Sequence, residues 1–218
     1  MFGNYCANWA GAASGQWGGR WSATRPPSPS GRRSLGPRLK NAQKEGRKII
    51  LIDESGLSTR PHKVRTWSPR GQTPILQHHF NWKSLSVIAG ITFYNFYFQL
   101  HDQSIKSPQI IEFLRHLMRH VTGNLLIIWD GLPAHRSRLT QDFIASTEGR
   151  IATVRLPAYA PELNPVEYIW AHWKQHELPN TCPKDWWQLN SNARRTLRRM
   201  RRRPSLIRAF WLQSELAL

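Results

Sequence analysis

The sequence predicts an α/β fold, a mixed five-stranded sheet flanked by helices, and three observations lead there. Two short apolar runs, RKIILID ending at Asp53 and NLLIIWD ending at Asp130, are unbroken rather than alternating, the mark of strands covered on both faces. Between them, SLSVIAGIT (84–92) and FYNFYFQLH (93–101) concentrate the β-branched and aromatic residues that suit a pleated surface. Segments with helical apolar spacing then alternate with strand-like ones to the end of the core.

Taken in order, residues 1–44 are rich in Gly, Ser, Pro, Trp and Arg without helical or strand periodicity, and read as an irregular tail or a broken remnant. The core is expected over 45–180, opening with the strand that ends at Asp53. KVRTWSPRGQTPILQ (63–77) reads as a hairpin, with Pro69 and Gly71 in its turn. Strands at 84–92 and 93–101 complete an antiparallel trio. SPQIIEFLRHLMRHV (107–121) places Ile110, Ile111, Leu114, Leu117, Met118 and Val121 on one helical stripe, with Ser107 as N-cap and Pro108 at N1. The strand 124–130, a short helix 139–147 and a strand 150–157 follow. Asn164 caps a last core helix, PVEYIWAHWKQHEL (165–178), with Pro165 at N1. The order β-β-β-α-β-α-β-α describes an RNase H-like architecture. Residues 181–218 form a basic helical segment with eight arginines from Arg194 to Arg208 and no acid between them.

In 218 residues there are 31 Lys+Arg against 13 Asp+Glu, a formal charge of +18, which favours a polyanionic partner and above all nucleic acid. No apolar run approaches the ~20 residues of a spanning helix, and the start lacks a signal peptide's apolar stretch, so the expectation is a cytoplasmic protein without membrane contact. Cys6 and Cys182 stand far apart, outside any Cys-x-x-Cys pattern. The adjacent His78 and His79 would point to opposite faces of an extended segment, so no zinc site is indicated.

Because acids are scarce, their positions carry information. Asp53 and Asp130 each close a buried strand, and Glu167 falls on the first turn of the helix after the last strand. Three carboxylates in one cleft repel each other unless cations neutralise them. Mg²⁺ suits such oxygen ligands, and two ions together serve in-line phosphodiester displacement. Taken singly, either Asp could be a turn residue, and Glu167 could be the capping-box partner of Asn164.

Four segments then carry a family likeness. LIDESG (51–56), VRTWSPRGQTPIL (64–76), IIWDGLPAHRS (127–137) and LPAYAPELNPVEYIWAHWK (156–174) resemble the DDE catalytic domain of bacterial insertion-sequence transposases related to the mariner superfamily. The likeness spans about residues 45–211, and PAYAPELNPVE is its most specific fragment. It implies an RNase H-like fold, Asp53, Asp130 and Glu167 as catalytic metal ligands, and Mg²⁺ or Mn²⁺ with no small-molecule cofactor. It also implies cleavage of DNA at transposon ends, strand transfer into target DNA, a homo-oligomer on that DNA, and a bacterial, nucleoid-associated setting.

Further residues take roles beside these. Glu54 should face away from Asp53 as a supporting or surface acid, and Glu162 competes with Glu167 but falls in the preceding loop. His135 could touch a phosphate, steady the site, or simply sit at the surface of a helix start. Arg65, Trp67, Arg70 and Gln72 on the hairpin are candidate DNA contacts, although Trp67 could pack in the sheet. Trp170 and Trp173, three apart, read as core. Arg194, Arg195, Arg198 and Arg199 are candidates to hold phosphates without sequence specificity, the alternative being a merely solvated basic helix. Family members precede the catalytic domain with helix-turn-helix modules, and residues 1–44 lack the paired amphipathic helices these need, so the end-recognition module is expected to be missing. The alternatives are an inactive basic DNA-binding remnant and an RNase H-like structure-specific nuclease.

Overall fold

The computed structural model describes residues 29–77, 84–157, 161–214 and 216. Cys6, His78, His79 and residues 158–160 of the most specific motif lie outside them. Five strands form one sheet in the order β3-β2-β1-β4-β5: β1 (Lys48–Ser58), β2 (Ser84–Ile91), β3 (Phe96–His101), β4 (Leu125–Trp129) and β5 (Ile151–Arg155). β1, β2 and β3 pair antiparallel, whereas β4 runs parallel to β1 and β5 parallel to β4. The first strand in sequence is thus central, as its unbroken apolar run requires. Ile50 and Ile52 point to one face and Leu51 to the other, and all three are at most 1 % exposed.

Helix α2 (Ser107–His120) covers the first face with Ile110, Ile111, Phe113, Leu114 and Leu117 buried. Each such side chain contributes roughly 2 kcal/mol of burial, against ~1 kcal/mol for a good cap, so the stripe holds the helix in place. Its N-cap is Lys106, one residue before the expected Ser107. Gly90 lies beneath this helix, and a Cβ there would stand 3.1 Å from Ile50 Cγ2 and 3.3 Å from Phe113 Cε1. The short α3 (Pro133–Arg136) and α4 (Arg138–Ala145) follow β4, and the Ser137 hydroxyl caps α4 by accepting from the Thr140 amide.

On the opposite face pack α1 (Pro29–Lys44), α5 (Pro165–His172), α6 (Trp186–Arg201) and α7 (Pro204–Gln213). Three expectations change here. Residues 29–44 are helical, not irregular: Leu35, Leu39 and Ala42, on one stripe, are buried against the sheet. The hairpin over 63–77 does not form, although its turn does, with Gln72 N–H donating to Pro69 C=O and Gly71 at φ +84. Its β-favouring side chains find no face to cover, and Trp67 is 99 % exposed and Ile75 82 %. Finally, the arginine-rich C-terminus is no appendage. Leu189, Ala193, Leu197, Met200, Ile207, Phe210 and Trp211 join the same core as α5.

Beyond His172, the chain winds one π turn over Trp173–Glu177. Trp173 is fully buried, and its indole N–H donates to Thr196 Oγ1 on α6 at 2.8 Å. Among the described residues, no helix is long and apolar enough to cross a membrane.

Candidate active site

The parallel pairing of β1 with β4 ends at Leu51 opposite Ile128, so Asp53 stands just past the last parallel pair and Asp130 just past the end of β4. Both acids emerge at the carboxyl edge of two adjacent parallel strands, where α/β sheets form their crevices. Asp53 does not end its strand, as the apolar run suggested. Antiparallel partners on β2 continue from Ala89 opposite Asp53 to Ser84 opposite Ser58.

Side-chain alternation divides the neighbouring acids. Asp53 faces α5, where Trp170 Nε1–H donates to its Oδ2 at 2.8 Å. Glu54 faces the other way, as expected, and is no surface acid: its Oε1 accepts from His135 Nε2 at 3.0 Å. Glu167 sits in the first turn of α5, whose N-terminus Asn164 caps by accepting from the Val166 amide at 3.2 Å. Burial, then the charges of Glu167 and Glu54, push Asp53 up to about 8, against the hydrogen bond from Trp170. Burial also raises Glu167, where Asp130 adds repulsion and Lys174 opposes it.

Asp130 behaves differently. Burial raises it, but His135, the Leu132 amide and the charge of Arg155 outweigh that and hold it below the usual carboxylate range. His135 is 1 % exposed and lies flat against Trp129, with ring centroids 4.3 Å apart and planes 4° from parallel. Its Nδ1 is 3.0 Å from Asp130 Oδ1. Burial disfavours its charge, but hydrogen bonds to Asp130 and Glu54 raise it to about 9, so an imidazolium donates from both nitrogens at neutral pH. The surface and phosphate-contact readings of His135 are therefore corrected: it is sealed beneath the site, where it steadies Asp130.

Each acid is thus held against its own wall, Asp53 by Trp170 and Asp130 by His135. Among the described residues, no three His, Cys, Asp or Glu side chains converge as a ready coordination shell. Glu162 lies in the one-turn 3₁₀ helix Pro161–Leu163.

Three contributors escaped sequence reading. The donor role of Trp170 is invisible to a pattern that reports only burial. Lys174, one turn further on, donates to Ser55 Oγ at 2.8 Å. Arg155 reaches past Gly131, where a Cβ would overlap its guanidinium. A signal did exist: a cation at the end of β5 and another four residues after a buried Trp, both in a chain short of acids.

The candidate DNA contacts are dispersed. Arg65, Trp67, Arg70 and Gln72 are exposed on the segment after β1, so Trp67 does not pack in the sheet. Arg194, Arg195, Arg198 and Arg199 are exposed on α6, but Arg199 is already engaged, its Nε donating to Glu177 Oε2 at 2.7 Å. Arg203 joins the same carboxylate at 3.2 Å.

A family model described as DDE superfamily endonuclease matches residues 48–190, which hold all three acids. The chain belongs to the DDE superfamily endonucleases. Among solved structures, this DDE endonuclease domain resembles the Mos1 transposase paired-end complex with left transposon end. Identity is 16 % and the TM-score 0.58, over 93 % of this chain and 67 % of that one. A pre-cleavage Mos1 transpososome is 14 % identical with a TM-score of 0.55, over 86 % of this chain and 63 % of that one. The catalytic domain of Mos1 mariner transposase gives 13 % and 0.50, over 87 % and 94 % respectively. These likenesses establish the RNase H-like fold that the DDE endonuclease shares with them, and the chain spans about two thirds of the longer transposase chains. No curated protein matches the sequence.

Proposed function

We propose that this DDE endonuclease is the catalytic domain of a transposase, cutting DNA at transposon ends and transferring the freed 3′-hydroxyl into target DNA. The observation that supports the reading is that Asp53 and Asp130 leave two adjacent parallel strands at the same edge, while Glu167, in the first turn of α5, raises Asp53 and is itself raised by Asp130. Carboxylates that disturb one another in this way fit a divalent cation, and an all-oxygen donor set fits Mg²⁺ or Mn²⁺ better than zinc. The Mos1 paired-end complex has been solved with Mn and with Mg, which supports the same choice here.

Asp53, Asp130 and Glu167 would hold the metal, two ions in the complete site. Bound there, the ions would stabilise the charge developing on the scissile phosphate and favour deprotonation of the attacking hydroxyl or water. The protein's own contribution is orientation. Trp170 fixes the Asp53 carboxyl, while His135 and Arg155 keep Asp130 ionised. DNA is the partner, a homo-oligomer the working assembly, and the bacterial cytoplasm and nucleoid the setting that fits such a substrate.

The test is cleavage of labelled duplex and supercoiled DNA with Mg²⁺ or Mn²⁺, comparing wild type with Asp130→Ala. Metal-dependent nicking that vanishes in the variant is expected. A wild-type protein that binds DNA but never cuts it, with binding untouched by the substitution, would make the chain a basic DNA-binding remnant instead.

A further inference from the structure

Among the described residues, two histidine pairs stand four residues apart on helical backbone, His116 with His120 and His172 with His176. The first is arranged to share a ligand. His116 and His120 lie on one stripe of α2, on the side of the sheet away from Trp170 and Asp53, with ring centroids 4.2 Å apart. Both rings are braced by aromatic neighbours. Phe113, three residues earlier, stacks on His116 at 6.2 Å with planes 19° apart. Tyr97 on β3 stands 6.3 Å from the His116 ring and 6.0 Å from that of His120.

The ring nitrogens are set for coordination. His120 Nδ1 lies 2.8 Å from the His116 carbonyl. A carbonyl only accepts, so Nδ1 carries the proton and Nε2 of the neutral ring keeps its lone pair. One ring nitrogen anchored to a backbone oxygen, with the other free, is the arrangement that orients metal-bound histidines. Burial, then the charges of His120, Arg119 and Arg201, hold His116 below the usual imidazole range against the opposing effect of Glu112, so at neutral pH it too offers a lone pair. Two zinc–nitrogen bonds of about 2.1 Å at a tetrahedral angle put the nitrogens about 3.4 Å apart. Rings 4.2 Å apart reach that spacing by rotation about χ2.

The second pair is already engaged. Glu177, 3.8 Å from His172, accepts from Arg199 and Arg203, and Phe210 closes on the His172 ring at 5.7 Å. A cation there would meet two guanidiniums bound to the same carboxylate. Arg119 and Arg201 repel a cation at the first pair as well, but both are exposed, and solvent and salt screen them.

We propose that His116 and His120 form a binding site for a divalent transition-metal ion, Zn²⁺ foremost, separate from the carboxylates at the sheet edge. Imidazole nitrogens suit Zn²⁺, Cu²⁺ and Ni²⁺, whereas Mg²⁺ takes oxygen ligands and does not compete here. No third His, Cys, Asp or Glu among the described residues joins the pair, so water completes the shell and the ion stays exchangeable. Bound across one turn, the ion clips the C-terminal end of α2.

The experiment titrates Zn²⁺ into the full chain in excess Mg²⁺, which occupies oxygen-donor sites, and follows the imidazole ring resonances. The His116 and His120 signals should move together. In His120→Gln the Zn²⁺ affinity read at His116 should fall at least tenfold, since loss even of an outer partner costs a metal site about 10–100-fold. His176→Gln should leave the affinity unchanged. A His116 signal that ignores Zn²⁺, or that moves with the same midpoint in His120→Gln, overturns the proposal. So does a loss in His176→Gln that matches the loss in His120→Gln, which would put the ion at the second pair.

Thermal melts give an independent reading. Zn²⁺ should raise the Tm of wild type more than that of His120→Gln, whose metal-free Tm reports any folding loss of its own. Equal increments in the two proteins overturn the site.

Discussion

The indole N–H of Trp170 donates to Oδ2 of Asp53 at 2.8 Å, while the ring itself is 4 % exposed in the core beneath α5. One side chain therefore serves both packing and the site. Trp170→Phe keeps most of the apolar volume and removes only the donor. Since that bond lowers Asp53, its loss should raise the carboxyl further and move the acidic limb of metal-dependent nicking to higher pH. Thermal stability should fall by about 1 kcal/mol, the net value of a typical hydrogen bond. A pH profile that superimposes on wild type would refute the role.

What the sequence displayed, and what it concealed, follows from this kind of double use. Asp53 and Asp130 stood out as candidates because each directly follows an unbroken apolar run in a chain with 13 acids, and Glu167 because it opens the helix after the last strand. Trp170 was legible as core but not as donor, because periodicity reports which face is buried and says nothing of an N–H at its margin. Helix α1 was concealed because Gly36 and Pro37 interrupt it and only Leu35, Leu39 and Ala42 mark its buried stripe. At 63–77 the error ran the other way. Thr, Val, Trp and Ile carry β propensity, but propensity without a face to bury forms no ladder.

His135 bridges two carboxylates in a nearly closed space, which makes it a stability element as well as a positioning one. Its folded pKa of about 9 lies above the unfolded value of 6.5. Its contribution is therefore fully present below pH 6.5 and lost as pH rises through about 9. At 1.36 kcal/mol per pKa unit, the contribution is roughly 3 kcal/mol. His135→Leu should destabilise the fold strongly near pH 6.5, because it strands Glu54, only 13 % exposed, without its cation. Adding Glu54→Leu should recover much of the loss. Chemical denaturation at pH 6.5 and pH 9.5 checks this, and a His135→Leu deficit that is equal at both would disprove the pH dependence.

Gly131 lets the Arg155 guanidinium lie against the backbone beside Asp130, and a methyl group there would displace it. Arg155 is exposed, so Gly131→Ala should change stability by less than about 1 kcal/mol. It should nevertheless slow nicking about 2–5-fold, the equivalent of a lost exposed charge pair of 0.5–1 kcal/mol. Arg155→Ala should match it, and the double variant should be no slower than either. Additive losses would show that the glycine acts on something other than Arg155.

Metal binding should be strongly pH-dependent, and the sign follows from Asp53. Its folded pKa of about 8 lies above its ordinary value of 3.8, so without metal the folded state loses stability as pH rises through about 8. A divalent cation at the three carboxylates needs Asp53 ionised, and below pH 8 binding must first displace its proton. The apparent affinity for Mg²⁺ should therefore rise about tenfold per pH unit up to about 8 and then level off. In thermal melts, the increment in Tm from a fixed Mg²⁺ concentration should be small at pH 6 and large at pH 8.5. Asp53→Asn should abolish both the increment and the metal-free decline, since it leaves a neutral group where the buried acid stood. An increment that is equal at the two pH values, or that survives in Asp53→Asn, would place the metal elsewhere on the protein.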